Sequence, residues 1–222
     1  MKRLLLIIFA AVMAVTANAQ KKVVVEHSYS SFDAVQAEDW FSISFSRSEE
    51  YGVRITTEAS VEDYIIAYAK EGVLYLVVDE KAMPADVRKM FKAKNPILAM
   101  PRVEIFAPEI KDVTLLGNSV IDGGSLTATG SLSIELRKTA AIKDLDVSAP
   151  AFLLQMSNRA QAYMNVEADT FDMICTHNAM AQIRVDVGRL AVGTDSFSNV
   201  SLSGNADSMS LSCEGSSKIT FE

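Results

Sequence analysis

Cysteine, histidine, long apolar runs and positive charge are all scarce in this chain, and each scarcity closes a class of function. Two cysteines in 222 residues cannot make a disulfide-dense scaffold. Neither belongs to a CxxC pair, and His27 and His177 stand at no ligand spacing from them, so no metal, redox centre or other cofactor is expected. Beyond the first twenty residues no segment approaches the roughly eighteen apolar residues of a membrane span, so no transmembrane helix is expected. Acidic residues outnumber basic ones, 28 to 21, for a formal charge of −7. A surface of that sign repels phosphate, which argues against nucleic acid and anionic lipid as partners. Solubility is the plainer explanation of the charge.

The N-terminus carries an address. Lys2 and Arg3 precede a short apolar run from Leu4 to Val15, and Ala17-Asn18-Ala19 supplies a small-x-small signal before Gln20. These are the parts of a secretory signal peptide over residues 1–19, cleaved after Ala19. The expected destination is the periplasm, the cell surface or the medium. No cysteine follows the cleavage point to carry a lipid anchor. Loss of Lys2 and Arg3 leaves 19 of the 21 basic residues against 28 acidic ones, a charge of −9.

The second half repeats. Apolar-x-apolar triplets begin at Val113, Leu132, Phe152, Phe171, Leu190 and Met209, in steps of 19, 20, 19, 19 and 19. A fixed period near twenty means one short unit stacked on copies of itself. Each unit holds two alternating stretches and a polar corner: Phe171-x-Met173-x-Cys175, then Thr176-His177-Asn178-Ala179, then Ala181-x-Ile183-x-Val185. Alternation with period two gives strands with one buried face. The expected fold is therefore all-β, a single-chain parallel β-solenoid with coils of about 19 residues. Right-handed coiling is the usual sense for parallel crossovers.

Aligned coils predict columns. Ala140, Ala160, Ala179, Ser198 and Ser217 form a small-residue corner column. The extra residue at Lys143-Asp144 reads as a β-bulge. Cys175 and Cys213 share a column with Thr194 between them, so two rungs, about 9 to 10 Å, separate them. That exceeds disulfide reach, and two buried free thiols are expected.

The first half lacks the period. Phe32–Val35, Trp40–Phe45, Val53–Thr57, Val73–Val78 and Val103-x-Ile105 read as strands, and residues 20–31 as a mobile arm containing His27. An insertion, residues 80–101, has Pro84 ahead of a short helix reaching Lys92. It is basic (Lys81, Arg88, Lys89, Lys92, Lys94, Arg102) on an acidic protein. Such a run is ordinarily a solvated helix face. Its sharper reading is a binding patch of Arg88, Lys89, Lys92 and Lys94 for an acidic partner or polysaccharide. Residues 32–222 form one domain, irregular over 32–108 and regular over 109–222.

From Phe32-x-x-Val35 through Trp40–Phe45, Val53-x-Ile55, Gly72–Leu76 and Val103–Ile110 to Val113-x-Leu115-x-Gly117-Asn118-Ser119, the order of segments resembles the auto-transporter adhesin family with a head GIN domain, common in Bacteroidetes. Pro108 to Ser119 is the most specific stretch, with Leu116-Gly117-Asn118-Ser119 a mild departure from the family's Ser-Gly-Ala/Ser junction. The resemblance spans nearly the whole mature chain. It implies a β-helical fold and export, and it transfers no catalytic residue.

Catalysis is not expected. Among outward residues only Glu167, Arg184 and Asp186 could cluster as charges on adjacent rungs, and a salt-bridge ladder is their simpler reading. The outward residues of the other strand offer no base–nucleophile arrangement, and His177 falls at a polar corner. The expected function is a non-enzymatic binding or adhesive module of the cell envelope for a glycan or protein ligand. The alternative is an assembly protein that self-associates into a homo-oligomer through its solenoid ends, and a polysaccharide lyase or hydrolase ranks third.

Overall fold

Two facing walls of strands, joined by tight corners, make up the computed structural model, which describes residues 22–92 and 100–222. In chain order the strands are β1 (Lys22–Tyr29), β2 (Ala34–Glu38), β3 (Ser42–Arg47), β4 (Tyr51–Glu58), β5 (Ile65–Lys70) and β6 (Val73–Val78). Helix α1 (Ala85–Phe91) follows, then β7 (Arg102–Ala107), β8 (Asp112–Leu116), β9 (Val120–Thr127) and β10 (Ser131–Leu136). The long strands β11 (Ala141–Ser157), β12 (Gln161–Thr176), β13 (Met180–Thr194) and β14 (Asn199–Cys213) each bend from one wall to the other, and β15 (Lys218–Phe221) closes the series. Face A stacks β5, β6, β2, β8, β10 and the second limbs of β11–β14; face B stacks β1, β4, β7, β3, β9, the first limbs of β11–β14, and β15. The fold is a β-solenoid of about six turns with ~19-residue spacing.

The registers explain the period. Phe152 pairs with Phe171, Phe171 with Leu190, and Leu190 with Met209, so like stacks on like every 19 residues. The rings of Phe152 and Phe171 lie 5.0 Å apart and nearly parallel. A register shift between Ile142 and Leu145 marks the bulge at Lys143-Asp144. The first step departs from expectation. Val113 pairs with Ile134, not Leu132, a step of 21. The additional length goes into a bulge around Gly123 and Gly124 and into the bend at Thr129-Gly130, where Glu109 accepts hydrogen bonds from the Thr129 amide and hydroxyl at 2.5 and 2.8 Å.

Corners stack as well as strands. Gly117, Lys138, Asn158, His177, Ser196 and Gly215 all have positive φ, between 53° and 75°. A left-handed residue at each corner reverses the chain within a few residues, a conformation that glycine and asparagine tolerate best. Next to it Ser119, Ala140, Ala160, Ala179 and Ser198 are buried, because only a small side chain fits inside so tight a bend. At Gly117 an added Cβ would fall 1.5 Å from the Asp39 carboxylate, so a side chain there would have to displace Asp39.

The first half joins the same walls out of chain order. β2 lies between β6 and β8, and β3 between β7 and β9, so the later β6–β7 coil sits outside the earlier β2–β3 coil. β7 also inserts between β3 and β4, parallel to one and antiparallel to the other. Residues 20–31 are not a free arm over their described part. Lys22–Tyr29 pairs antiparallel with β4 along its whole length, setting Val23, Val25 and Tyr29 on the partly covered side. Helix α1 turns Val87 and Phe91 inward, Met83 just ahead of it is buried too, and Phe91 packs 5.4 Å from Trp40. Aromatic contacts of Phe32 with Tyr29 and Tyr51 help seal this end. Among the described residues no helix is long and apolar enough to cross a membrane.

Candidate functional site

Outward residues of face B form ordered columns because the registers are fixed. Asp146, Asn165, Arg184 and Ser203 make one column; Thr127, Ser148, Glu167, Asp186 and Asn205 make the next. Rungs in such a ladder are about 4.8 Å apart. Together the columns line a groove of about 440 Å³. It continues toward the bend into a hollow of about 460 Å³ bordered by Glu167, Asp169, Asp186 and Asp207. Two residues before Asn165 and on the same outward face, Tyr163 holds its ring out with 38% of its surface exposed.

Gly204 lines the groove. Its φ of +109° and the approach of the Val185 carbonyl, 2.1 Å from where a Cβ would be, bring β13 and β14 together as only glycine permits.

The expected salt-bridge ladder is absent. Among the described residues Arg184, Glu167 and Asp186 join none of the ion pairs. Register explains this: Arg184 faces Asn165 and Ser203 across the rungs, while Glu167 faces Asp186, placing like charges side by side. The groove's one side-chain hydrogen bond among the described residues runs from Asn165 Nδ2 to Asp146 Oδ1, 2.7 Å. A closed ladder does exist elsewhere. Arg54 reaches Glu26 at 2.7 Å and Glu104 at 2.8 Å across β1, β4 and β7, with its guanidinium 5.3 Å from the Phe106 ring. The same residue types that neutralise one another there stand open in the groove.

The basic patch foreseen in the insertion is placed apart from this groove. Arg88 is half-buried and donates through Nη2 to the Met83 carbonyl at 2.8 Å, tying the helix to its own entry turn. Lys89 and Lys92 are exposed, and Lys94 lies outside the described residues, as do the expected signal segment and the expected cleavage point after Ala19. His177 occupies a left-handed corner in line with Asn158 and Ser196, and His27 is part of β1, 6.3 Å from Tyr29. Both cysteines are free. Cys175 is fully buried, and burial pushes its thiol up to about 12. Cys213 is exposed, contrary to the expected burial, because among the described residues no strand pairs with the outer side of its limb of β14. Among the described residues no group of three or more His, Cys, Asp or Glu side chains is arranged to hold a metal.

With this geometry in view, the comparisons decide the family. The profile described as "Putative auto-transporter adhesin, head GIN domain" matches residues 31–222. The chain belongs to that family. Comparison with curated proteins yields no match. A crystal structure described as a putative adhesin from Bacteroides fragilis is similar over 92% of this chain and 98% of its own, with 14% identity and a TM-score of 0.58. A second, described as a putative adhesin from Parabacteroides merdae, covers 91% and 96% with 13% identity and a TM-score of 0.51. Likeness at that identity speaks for the fold of the adhesin-family chain. The open charges of face B are argued from its own residues.

Proposed function

We propose that this adhesin-family protein is a non-catalytic binding module of the cell envelope, exported by its N-terminal signal, and that the face B groove binds a neutral or amino-bearing glycan. The observation that carries the reading is the open arrangement of Arg184, Glu167 and Asp186 in a groove beside an exposed tyrosine. Two carboxylates held side by side repel each other unless a ligand supplies donors between them. Vicinal sugar hydroxyls or an ammonium supply those donors, Arg184 and Asn165 supply donors to ring and hydroxyl oxygens, and Tyr163 offers a flat apolar face to a pyranose. The carboxylates of Glu167, Asp169, Asp186 and Asp207 disfavour uronates and other acidic polymers. The three groove carboxylates, Asp146, Glu167 and Asp186, are all exposed to solvent.

The test is a glycan array that includes neutral, amino and uronate sugars, probed with the wild type, Tyr163→Ala, Arg184→Ala, and a variant with Arg88, Lys89, Lys92 and Lys94 changed to Ser. The expected result is binding to neutral or amino glycans that falls at least tenfold in the first two variants and is unchanged in the last. Binding lost only in the last variant would move the site to the insertion. Turnover of any glycan would overturn the non-catalytic reading.

A further inference from the structure

The two ends of the solenoid are unlike. At the N-terminal end the core residues Phe32, Val61 and Phe91 are buried to within 2%. At the other end the inward column of the last coil is bare. Met209 and Leu211 are 49% and 45% exposed, although the residues stacked above them, Leu190 and Val192, are 0% and 2% exposed. Cys213 is exposed, and Ile219 and Phe221 are only half covered. The second limb of β14 and the strand β15 pair on one side only among the described residues, which leaves two strand edges open beside the apolar patch. An edge of this kind is a template for another strand.

We infer that the occupant is a second copy of this chain, docked end to end by a twofold axis. A twofold pairing sets a strand antiparallel to itself, and β14 is self-complementary about Leu211. Met209 then meets Cys213 of the partner subunit, and Leu211 meets Leu211 of the partner subunit, all on the inward side. On face B the same operation about Thr220 places Ile219 against Phe221 of the partner subunit. It also sets Lys218 opposite Glu222 of the partner subunit, joining unlike charges on the outward side. Leu211 and Thr220 lie at equal distances along the chain from the midpoint of the Glu214–Ser217 corner, so one axis through both walls serves both pairings. The dimer continues the two walls across the junction and buries the last apolar coil of each copy. This inference is independent of the groove: it concerns the solenoid end, and neither result of the glycan test bears on it.

The experiment is analytical ultracentrifugation of the purified protein from micromolar to near-millimolar concentration, with Lys218→Glu, Glu222→Lys and the double exchange. Each single exchange turns two attractive cross-strand pairs repulsive and is expected to weaken the dimer on the order of tenfold. The double exchange restores it. In a Cys213→Ser background, Leu211→Cys is expected to give a disulfide-linked dimer on mild oxidation, because the new thiol faces its own symmetry mate. Circular dichroism checks that each variant keeps its strands. A chain that remains monomeric throughout, a dimer in which the Leu211→Cys thiol stays reduced, or single exchanges that the double exchange fails to rescue would each overturn the inference.

Discussion

Gly204→Ala should be far more damaging than its size suggests, and Gly193→Ala is its built-in control. At Gly204 the new methyl would arrive 2.1 Å from the Val185 carbonyl oxygen and 3.2 Å from the Val185 nitrogen and carbonyl carbon. All three are backbone atoms of the adjoining rung, so no rotamer change relieves the clash. The backbone must retreat by about 1 Å, or φ must leave +109°; holding a side chain in such a region costs about 1 to 3 kcal/mol before the lost ladder bonds are counted. Adding one or two weakened hydrogen bonds at about 1 kcal/mol each brings the total to roughly 3 kcal/mol. Gly193, one strand earlier, has open space where its Cβ would be and no positive φ. There alanine is expected to be neutral or stabilising by up to about 1 kcal/mol, through a less mobile unfolded chain. Urea midpoints measure the two variants, and native-state hydrogen exchange locates the damage. Protection should fall first in β14 and β15, the rungs beyond the clash, while β11 and β12 keep theirs. Equal midpoints for the two variants, or a loss of protection spread evenly over the solenoid, would refute the argument.

Two further outcomes follow from groups described above. A thiol reagent at pH 8 should modify one cysteine per native chain, Cys213, and reach Cys175 only on unfolding, since Cys175 is fully buried and its thiol is raised to about 12; mass spectrometry of labelled peptides reads this directly. Glu109 is held below its ordinary value of 4.5, first by the Thr129 amide and then by the Thr129 hydroxyl. Its folded form therefore favours the carboxylate. The stability this adds is complete above the unfolded value and is lost as pH falls through the lower folded one. Glu109→Gln should lower stability at neutral pH slightly and converge with the wild type in acid, in thermal melts taken from pH 7 to pH 3.

The regular coils were legible because stacking repeats the same requirement on every rung. Phe152, Phe171 and Leu190 meet a single environment, and the bulge at Lys143-Asp144 betrayed itself as one residue too many. The slip at Val113 was not legible for a reason intrinsic to strands. Moving a strand by two residues keeps every apolar side chain on the same face, so Val113-x-Leu115 fits a step of 19 as well as the observed 21. The first half hid its order because the insertion of β7 between β3 and β4 is a pairing between distant segments, and local alternation says nothing about neighbours. β1 was missed because His27 interrupts its apolar side and Val24 stands among the polar residues of the other, although Val23 and Val25 keep the alternation. Of the groove, the residue types were visible as columns. That Arg184 would be left without a carboxylate, and Glu167 would face Asp186, follows only from the register across rungs.

The out-of-order coil at the N-terminus makes the molecule a ruler with one fixed end. Because β6 and β7 lie outside β2 and β3, each of the strands β1–β5 pairs with a segment that comes later in the chain, and none can be removed or doubled alone. Beyond β10 each coil touches only the coil before and the coil after, so a copied segment such as Gln161–Ala179 would add one rung and about 4.8 Å of length. Reach from the locked end is thus a quantity that duplication and deletion can set in steps, one coil at a time, while the chemistry displayed along face B is lengthened or shortened with it.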